Sequence, residues 1–209
     1  MDAFSDRCGI LRQAWQWWAT TLPDLDAGAW TRPTRLPAWD VAALVAHASL
    51  LIRGLGFLAG QPLDAAPEVP TAADILRRFN EPGGVATTSA NVVAEMAQRQ
   101  AEAMSHDELV AIFAATTPDV VASLETGGPI VIDYFGNGTL PIAEAISIAV
   151  LEAVVHGLDL CAAVDVPPSS IPAAAMQHTV GLLVGIAEPA AFVEAATGRR
   201  PADVLPVLR

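Results

Sequence analysis

Apolar positions recur at intervals of three and four over residues 4–22 (FSDRCGILRQAWQWWATTL) and stop at Pro23, which predicts a first helix. A turn-rich stretch, DLDAGAWTRPTRLPAW, follows. Asp40 then stands where an N-cap belongs, ahead of VAALVAHASLLIRGLGFLAG, and predicts a second helix ending near Gly60. A short helical piece is expected around TAADILRRF and a third long helix near residues 86–104. In DVVASLETGGPIVIDYF two β-branched runs flank Thr126, Gly127 and Gly128, the pattern of a small hairpin or extended excursion. From Pro141, IAEAISIAVLEAVVHGLDLCAAV predicts a fourth long helix that ends at the DVPPSS break. Shorter helices are expected at 172–187 and 189–197, and no solenoid-like repeat is present. Four long helices and a marginal strand signal point to an all-α fold. The expectation is a four-helix bundle over residues 1–165, with 166–209 as a short helical extension packed on it.

Two of these helices carry ionisable groups inside their most apolar segments: His47 in LVAHASLL, and Glu152, His156 and Asp159 in LEAVVHGLDL. Residues four apart on a helix share a side, so Glu152 and His156 can reach one ion. Ala145, Ile148, Ala149, Glu152, His156, Asp159 and Ala163 fall on a single stripe, whereas Cys161 lies about half a turn away and reads as packing. His47 shares a stripe with Leu44, Leu51, Gly54 and Leu58. Two imidazoles and a carboxylate form a three-ligand set for a catalytic divalent ion, zinc first, with iron, nickel or manganese as other occupants. Two plainer readings stay open: hydrogen-bonded core histidines, and a Glu/His surface pair. Asp159 fits a partner for an imidazole N–H as well as it fits an ordinary helix-side hydrogen bond.

Composition narrows the classes. Hydrophobic residues make up 53% of the 209 and charged ones 16%, which suits a globular chain with apolar surface left over for a homodimer interface. A formal charge of −12 argues against nucleic acid and against anionic membrane surfaces as partners. Asp2 and Asp6 open the chain where a signal peptide would have a basic region, so a cytoplasmic location is expected. The long uncharged segment 166–187 is broken by Pro167, Pro168 and Pro172, and no window is expected to span a membrane. Cys8 and Cys161 offer neither a disulfide framework nor a CxxC site. His106 reads as part of an inter-helix turn capped by Ser105, and His178 has no carboxylate at a helical offset. GNGTLP imitates a glycine-rich loop but fits a turn better, and Trp39 fits a hydrophobic staple.

WTRPTRLPAWDVAALVAHASLL resembles the loop and second helix of the mycothiol-dependent maleylpyruvate isomerase-like family, within the wider DinB/YfiT-like helical-bundle superfamily. FGNGTLPIAEAISIAVLEAVVHGLDLCAAVDVP is similar to the segment in which that family places a Glu-x-x-x-His pair. The resemblance covers about residues 4–165, and the ending FVEAATGRRPADVLPVLR looks like that of short relatives. It implies a DinB-like bundle in which Trp39 precedes the helix and His47, Glu152 and His156 hold the metal. The chain departs from the pattern at Leu158, where an aromatic is usual, and in the short C-terminal segment, where the isomerase has a larger domain. By resemblance the cofactors are one divalent ion and mycothiol, and the activity is an isomerase or S-transferase acting on an electrophilic small molecule. A non-catalytic small-molecule-binding or dimerising protein is the alternative, and a metal-dependent hydrolase a further one.

Overall fold

The computed structural model of the protein describes residues 3–37, 39–203 and 205–208; Asp2, Val204 and Arg209 of the terminal readings above lie outside the described residues. The helices are α1 (Ala3–Thr21), α2 (Val41–Ala59), α3 (Ala72–Asn80), α4 (Val85–Thr88), α5 (Ala90–Ala103), α6 (His106–Ala111), α7 (Thr117–Gly127), α8 (Ile142–Val164), α9 (Ala173–Ile186) and α10 (Pro189–Ala196). A π-helical turn, Ile112–Thr116, joins α6 to α7. Two short strands, β1 (Val131–Asp133) and β2 (Thr139–Pro141), pair antiparallel with Ile132 opposite Leu140.

The bundle core is α1, α2, α7 and α8, each packed on two or more of the others. This membership differs from the sequence expectation, which gave the third long helix to residues 86–104. The corresponding helix, α5, lies on the outside of α2 and fully buries only Ala97, because its remaining positions are mostly polar or small. The core position goes instead to α7, where the Val120 and Val121 run expected to be extended is helical. Pro118 starts that helix and Gly128, at φ 69°, ends it. The hairpin therefore lies later than expected, and its turn is the FGNG segment.

Among the described residues, three helical runs, Val41–Ala59, His106–Gly127 and Ile142–Val164, are long and apolar enough to cross a membrane by length and composition, which corrects the expectation that no window qualifies. In α8 this follows from its central position: 72% of its apolar window is buried inside the protein, so it is hydrophobic on most sides.

Tryptophan packing sets how α1 meets α8. Trp18 is fully buried, stacks on Phe113 with ring centroids 5.2 Å apart, and donates its indole N–H to the Ala153 carbonyl at 3.0 Å. Each buried tryptophan removes ~150–250 Å² from water, roughly 4–6 kcal/mol of transfer free energy. Gly157 makes the close approach of α1 feasible, since a Cβ there would lie 3.1 Å from the Trp17 ring and 3.3 Å from Ile171. At the other end of α8, Glu144 accepts hydrogen bonds from Arg7 of α1 and from the Ala72 amide in the first turn of α3. That carboxylate ties three helices together. Beyond α8, α9 packs on α1, α3 and α8.

Candidate functional site

The loop before α2 is held by its own backbone. Thr34 N–H and hydroxyl both donate to the Trp39 carbonyl at 2.9 Å, and Val41 N–H donates to the Arg32 carbonyl at 3.0 Å. The loop presents Arg35 and Trp39 at the start of α2, which Asp40 caps through the Ala43 amide at 2.9 Å, as its sequence position predicts. His47 lies two turns into that helix, beside rather than within its deepest line. Leu44, Ala48, Ile52 and Leu55 are buried, whereas His47, Leu51 and Gly54 are half-buried. The C-terminal half of α8 meets this region and brings the second ionisable segment to it.

The predicted stripe of α8 holds. Ala145, Ile148 and Ala149 are buried and lead up to Glu152, His156 and Asp159 on the inward side. One ligand atom from each of His47, Glu152 and His156 lies within 4.8 Å of the other two. Ligand atoms held at ~2.1 Å from one tetrahedral ion are ~3.4 Å apart, so closing onto an ion asks for side-chain movements of about 1 Å. His156 lies between two carboxylates of its own helix, with Nε2 3.1 Å from Glu152 Oε2 and Nδ1 3.2 Å from Asp159 Oδ2. The His47 and His156 rings are perpendicular at 4.9 Å, and Trp39 packs against both, at 4.8 and 6.1 Å. Trp15, Trp18, Phe113 and Ala149 surround the inner side of Glu152, and the π-helical turn is what places Phe113 there.

Burial pulls the two imidazoles in opposite directions once their neighbours are counted. For His47, desolvation, reinforced by the nearby His156, lowers the pKa to about 4, with Glu152 opposing weakly. For His156, desolvation also favours the neutral ring, but the hydrogen bonds to Asp159 and Glu152 and their charges outweigh it and raise the pKa to about 9. Glu152 and Asp159 are both held below their ordinary values. In each, burial pushes upward and the hydrogen bond to His156 with its charge pushes further down; Arg35 adds to the effect at Asp159. Within this group, His47 Nδ1 is buried and has no hydrogen-bond partner among the described residues. An orphaned buried imidazole nitrogen costs ~1–3 kcal/mol, and a cation satisfies it. The His47 imidazole, the Glu152 carboxylate and the His156 imidazole, gathered within reach of one another, fit a divalent ion.

Sequence reasoning missed three neighbours, Arg35, Tyr134 and Phe135, and did not place a fourth, Trp39, against the imidazoles. Arg35 donates to Asp159 Oδ1 from Nε at 3.2 Å and from a terminal nitrogen at 2.8 Å, a contact between residues 124 apart in the chain. Trp39, expected as a staple, lies on the two imidazoles. Tyr134 at the hairpin tip is buried, and desolvation together with the Glu152 charge pushes its phenol pKa upward. Phe135, the next residue, has φ 54° and lies over Gly54, where a Cβ would come within 2.9 Å of its ring. The FGNG turn was the one sequence signal for this pair.

The histidines set aside from the sequence lie elsewhere. His106 starts α6 behind a Ser105–Glu108 capping box and stacks on Trp30 at 4.2 Å. It lines a cleft of about 810 Å³ together with Arg35, Trp39, Asp40, Gln98 and Glu102. That cleft adjoins the His47–Glu152–His156 group through Trp39. His178 is half-buried on α9 near Arg7 and Glu144, with Nε2 unpartnered. Cys161 is buried, as packing requires.

Residues 11–161 match the model of a family described as the mycothiol maleylpyruvate isomerase N-terminal domain. Among solved structures, the crystal structure of the mycothiol-dependent maleylpyruvate isomerase superposes with a TM-score of 0.56 at 16% sequence identity, over 85% of this chain and 70% of that one. Likeness at that identity establishes the shared helical fold. Comparison with curated proteins gave no match.

Proposed function

Because the chain belongs to the mycothiol maleylpyruvate isomerase N-terminal domain family, we propose that it is a divalent-metal-dependent protein using a low-molecular-weight thiol of the mycothiol type. Its activity would be isomerisation of, or S-transfer to, an electrophilic small molecule. The observation that carries this reading is the convergence of ligand atoms of His47, Glu152 and His156 within 4.8 Å of one another, with the buried Nδ1 of the same His47 ring left without a protein partner. When bound, a divalent ion would supply Lewis acidity, lowering the pKa of a thiol presented to it.

The surrounding residues serve that chemistry directly. Asp159 accepts from His156 Nδ1, which leaves Nε2 on the side of Glu152 as a ligand atom. Glu152 contributes the negative charge that offsets part of a dication. Trp39 covers both imidazoles and keeps water from them on the side of the loop. The 810 Å³ cleft beyond Trp39 is within the range of small-molecule pockets, and its walls mix apolar side chains with polar ones such as Arg35, Asp40, Gln98 and Glu102 that could hold a hydrophilic thiol or its partner. Because the cleft is lined by Arg35, Trp39, Asp40 and His106 and by none of the three candidate ligands, non-catalytic small-molecule binding is a second reading.

Elemental analysis of protein purified without an affinity tag tests the proposal, comparing wild type with Glu152→Ala and His47→Ala. About one divalent ion per chain, lost in both variants, supports it. Thiol-dependent turnover of an electrophile that disappears with the ion then separates the catalytic reading from simple binding. A wild-type protein that neither retains nor takes up zinc, iron, nickel or manganese removes the metal-dependent reading.

A further inference from the structure

We propose that Arg35 is a positioning residue for the metal site, acting on His156 through Asp159; this rests on the metal-dependent reading above. The two oxygens of Asp159 have different partners. Oδ1 accepts from Arg35 Nε at 3.2 Å and from a terminal guanidinium nitrogen at 2.8 Å, while Oδ2 lies 3.2 Å from His156 Nδ1. Two donors on one oxygen fix the plane of the carboxylate, a torsion that is otherwise broad. With that plane set, Oδ2 accepts from Nδ1–H, and the neutral ring takes the tautomer whose free lone pair is on Nε2, beside Glu152. Arg35 thus selects which nitrogen of His156 is available to an ion.

Exposure separates this role from a packing one. The Arg35 side chain is 59% exposed, whereas Asp159 is 9% exposed. An arginine so exposed contributes little to the core, and an ordinary surface ion pair would add little to stability. What it does contribute is a second partner for a buried carboxylate that would otherwise have His156 alone within its helix. A planar fork is needed for this, and a lysine supplies charge without the fixed pair of N–H groups. Arg35 also lines the 810 Å³ cleft, so the residue that orders Asp159 is in the wall that a ligand would touch.

The test measures cobalt(II) affinity by competition with a chromophoric chelator for wild type, Arg35→Met, Arg35→Lys, Asp159→Asn and the Arg35→Met/Asp159→Asn double variant. Thermal melts confirm folding, and nitrogen NMR of the zinc-loaded wild type reads the His156 tautomer. Loss of a residue that orients a metal-bound histidine weakens binding ~10–100-fold, and Arg35→Met, one contact further out, is expected at about the tenfold end. Arg35→Lys recovers part of that loss. In the Asp159→Asn background Arg35→Met adds less than about twofold, because the path through Asp159 is already broken. The NMR spectrum is expected to show His156 protonated on Nδ1. Wild-type affinity in Arg35→Met, an effect that multiplies fully with Asp159→Asn, or a proton on Nε2 overturns the assignment while leaving the metal site standing. Wild-type protein that binds no cobalt overturns the metal-site reading and this assignment with it.

Discussion

Removing the ion should make stability depend on pH in a specific way, because the two site histidines are shifted to opposite sides of the ordinary value of 6.5. In metal-free protein His47 titrates at about 4 and His156 at about 9. Between pH 4 and 6.5 the unfolded chain binds a proton at His47 that the folded chain does not, so stability rises with pH. Between 6.5 and 9 the folded chain keeps a proton on His156 that the unfolded chain has lost, so stability falls as pH rises. The metal-free protein is therefore most stable near pH 6.5. The basic flank spans 9 minus 6.5, and at ~1.36 kcal/mol per pH unit it is on the order of 3 kcal/mol. For a chain of this size that corresponds to a fall in Tm of roughly 6–12 °C between pH 6.5 and 9. Zinc loading replaces the His156 proton and should abolish this fall. Thermal melts in chelator and in zinc at pH 5.5, 6.5, 8 and 9 measure it. Equal stability of the metal-free protein at pH 6.5 and 9, or a basic fall that persists unchanged with zinc bound, would refute the reasoning.

Other substitutions probe the frame around the site. Gly56→Ala would place a Cβ 2.9 Å from Val120 Cγ2 on the buried face between α2 and α7. Helix preference gains less than about 1 kcal/mol, and overpacking costs ~1–3, so a net loss of about 1–2 kcal/mol in urea unfolding is expected, relieved by adding Val120→Ala. Trp18→Phe removes the indole donor to Ala153 and part of the stack on Phe113 and should cost roughly 1–3 kcal/mol. Metal affinity in that variant should change by less than about tenfold if the aromatic wall of Glu152 is supportive only. Glu144→Ala leaves Arg7 and the Ala72 amide without their shared acceptor and should lower stability by about 1–3 kcal/mol with metal content unchanged, by chemical denaturation and elemental analysis.

Much of this protein is written in local sequence. The periodicity of residues 4–22, the Asp40 cap with Gly60 beyond, and Pro141 ahead of a long apolar run were enough for α1, α2 and α8, because caps and a 3.6-residue period are properties of the segment itself. The same local rule put Glu152, His156 and Asp159 on one face. Tertiary structure decided what meets that face. Antiparallel placement of α2 against α8 brings His47 beside His156, and no spacing in the sequence encodes that approach. The Val120 and Val121 run misled because β-branched residues suit a helix when one side is buried, and burial is a property of the assembled bundle. Arg35 and Asp159, 124 residues apart, show the limit most clearly: the sequence determined that a carboxylate would stand one turn beyond His156. Only packing of the loop before α2 onto the end of α8 decided that a guanidinium would hold it, since a contact between distant segments depends on how helices cross and not on the period of either.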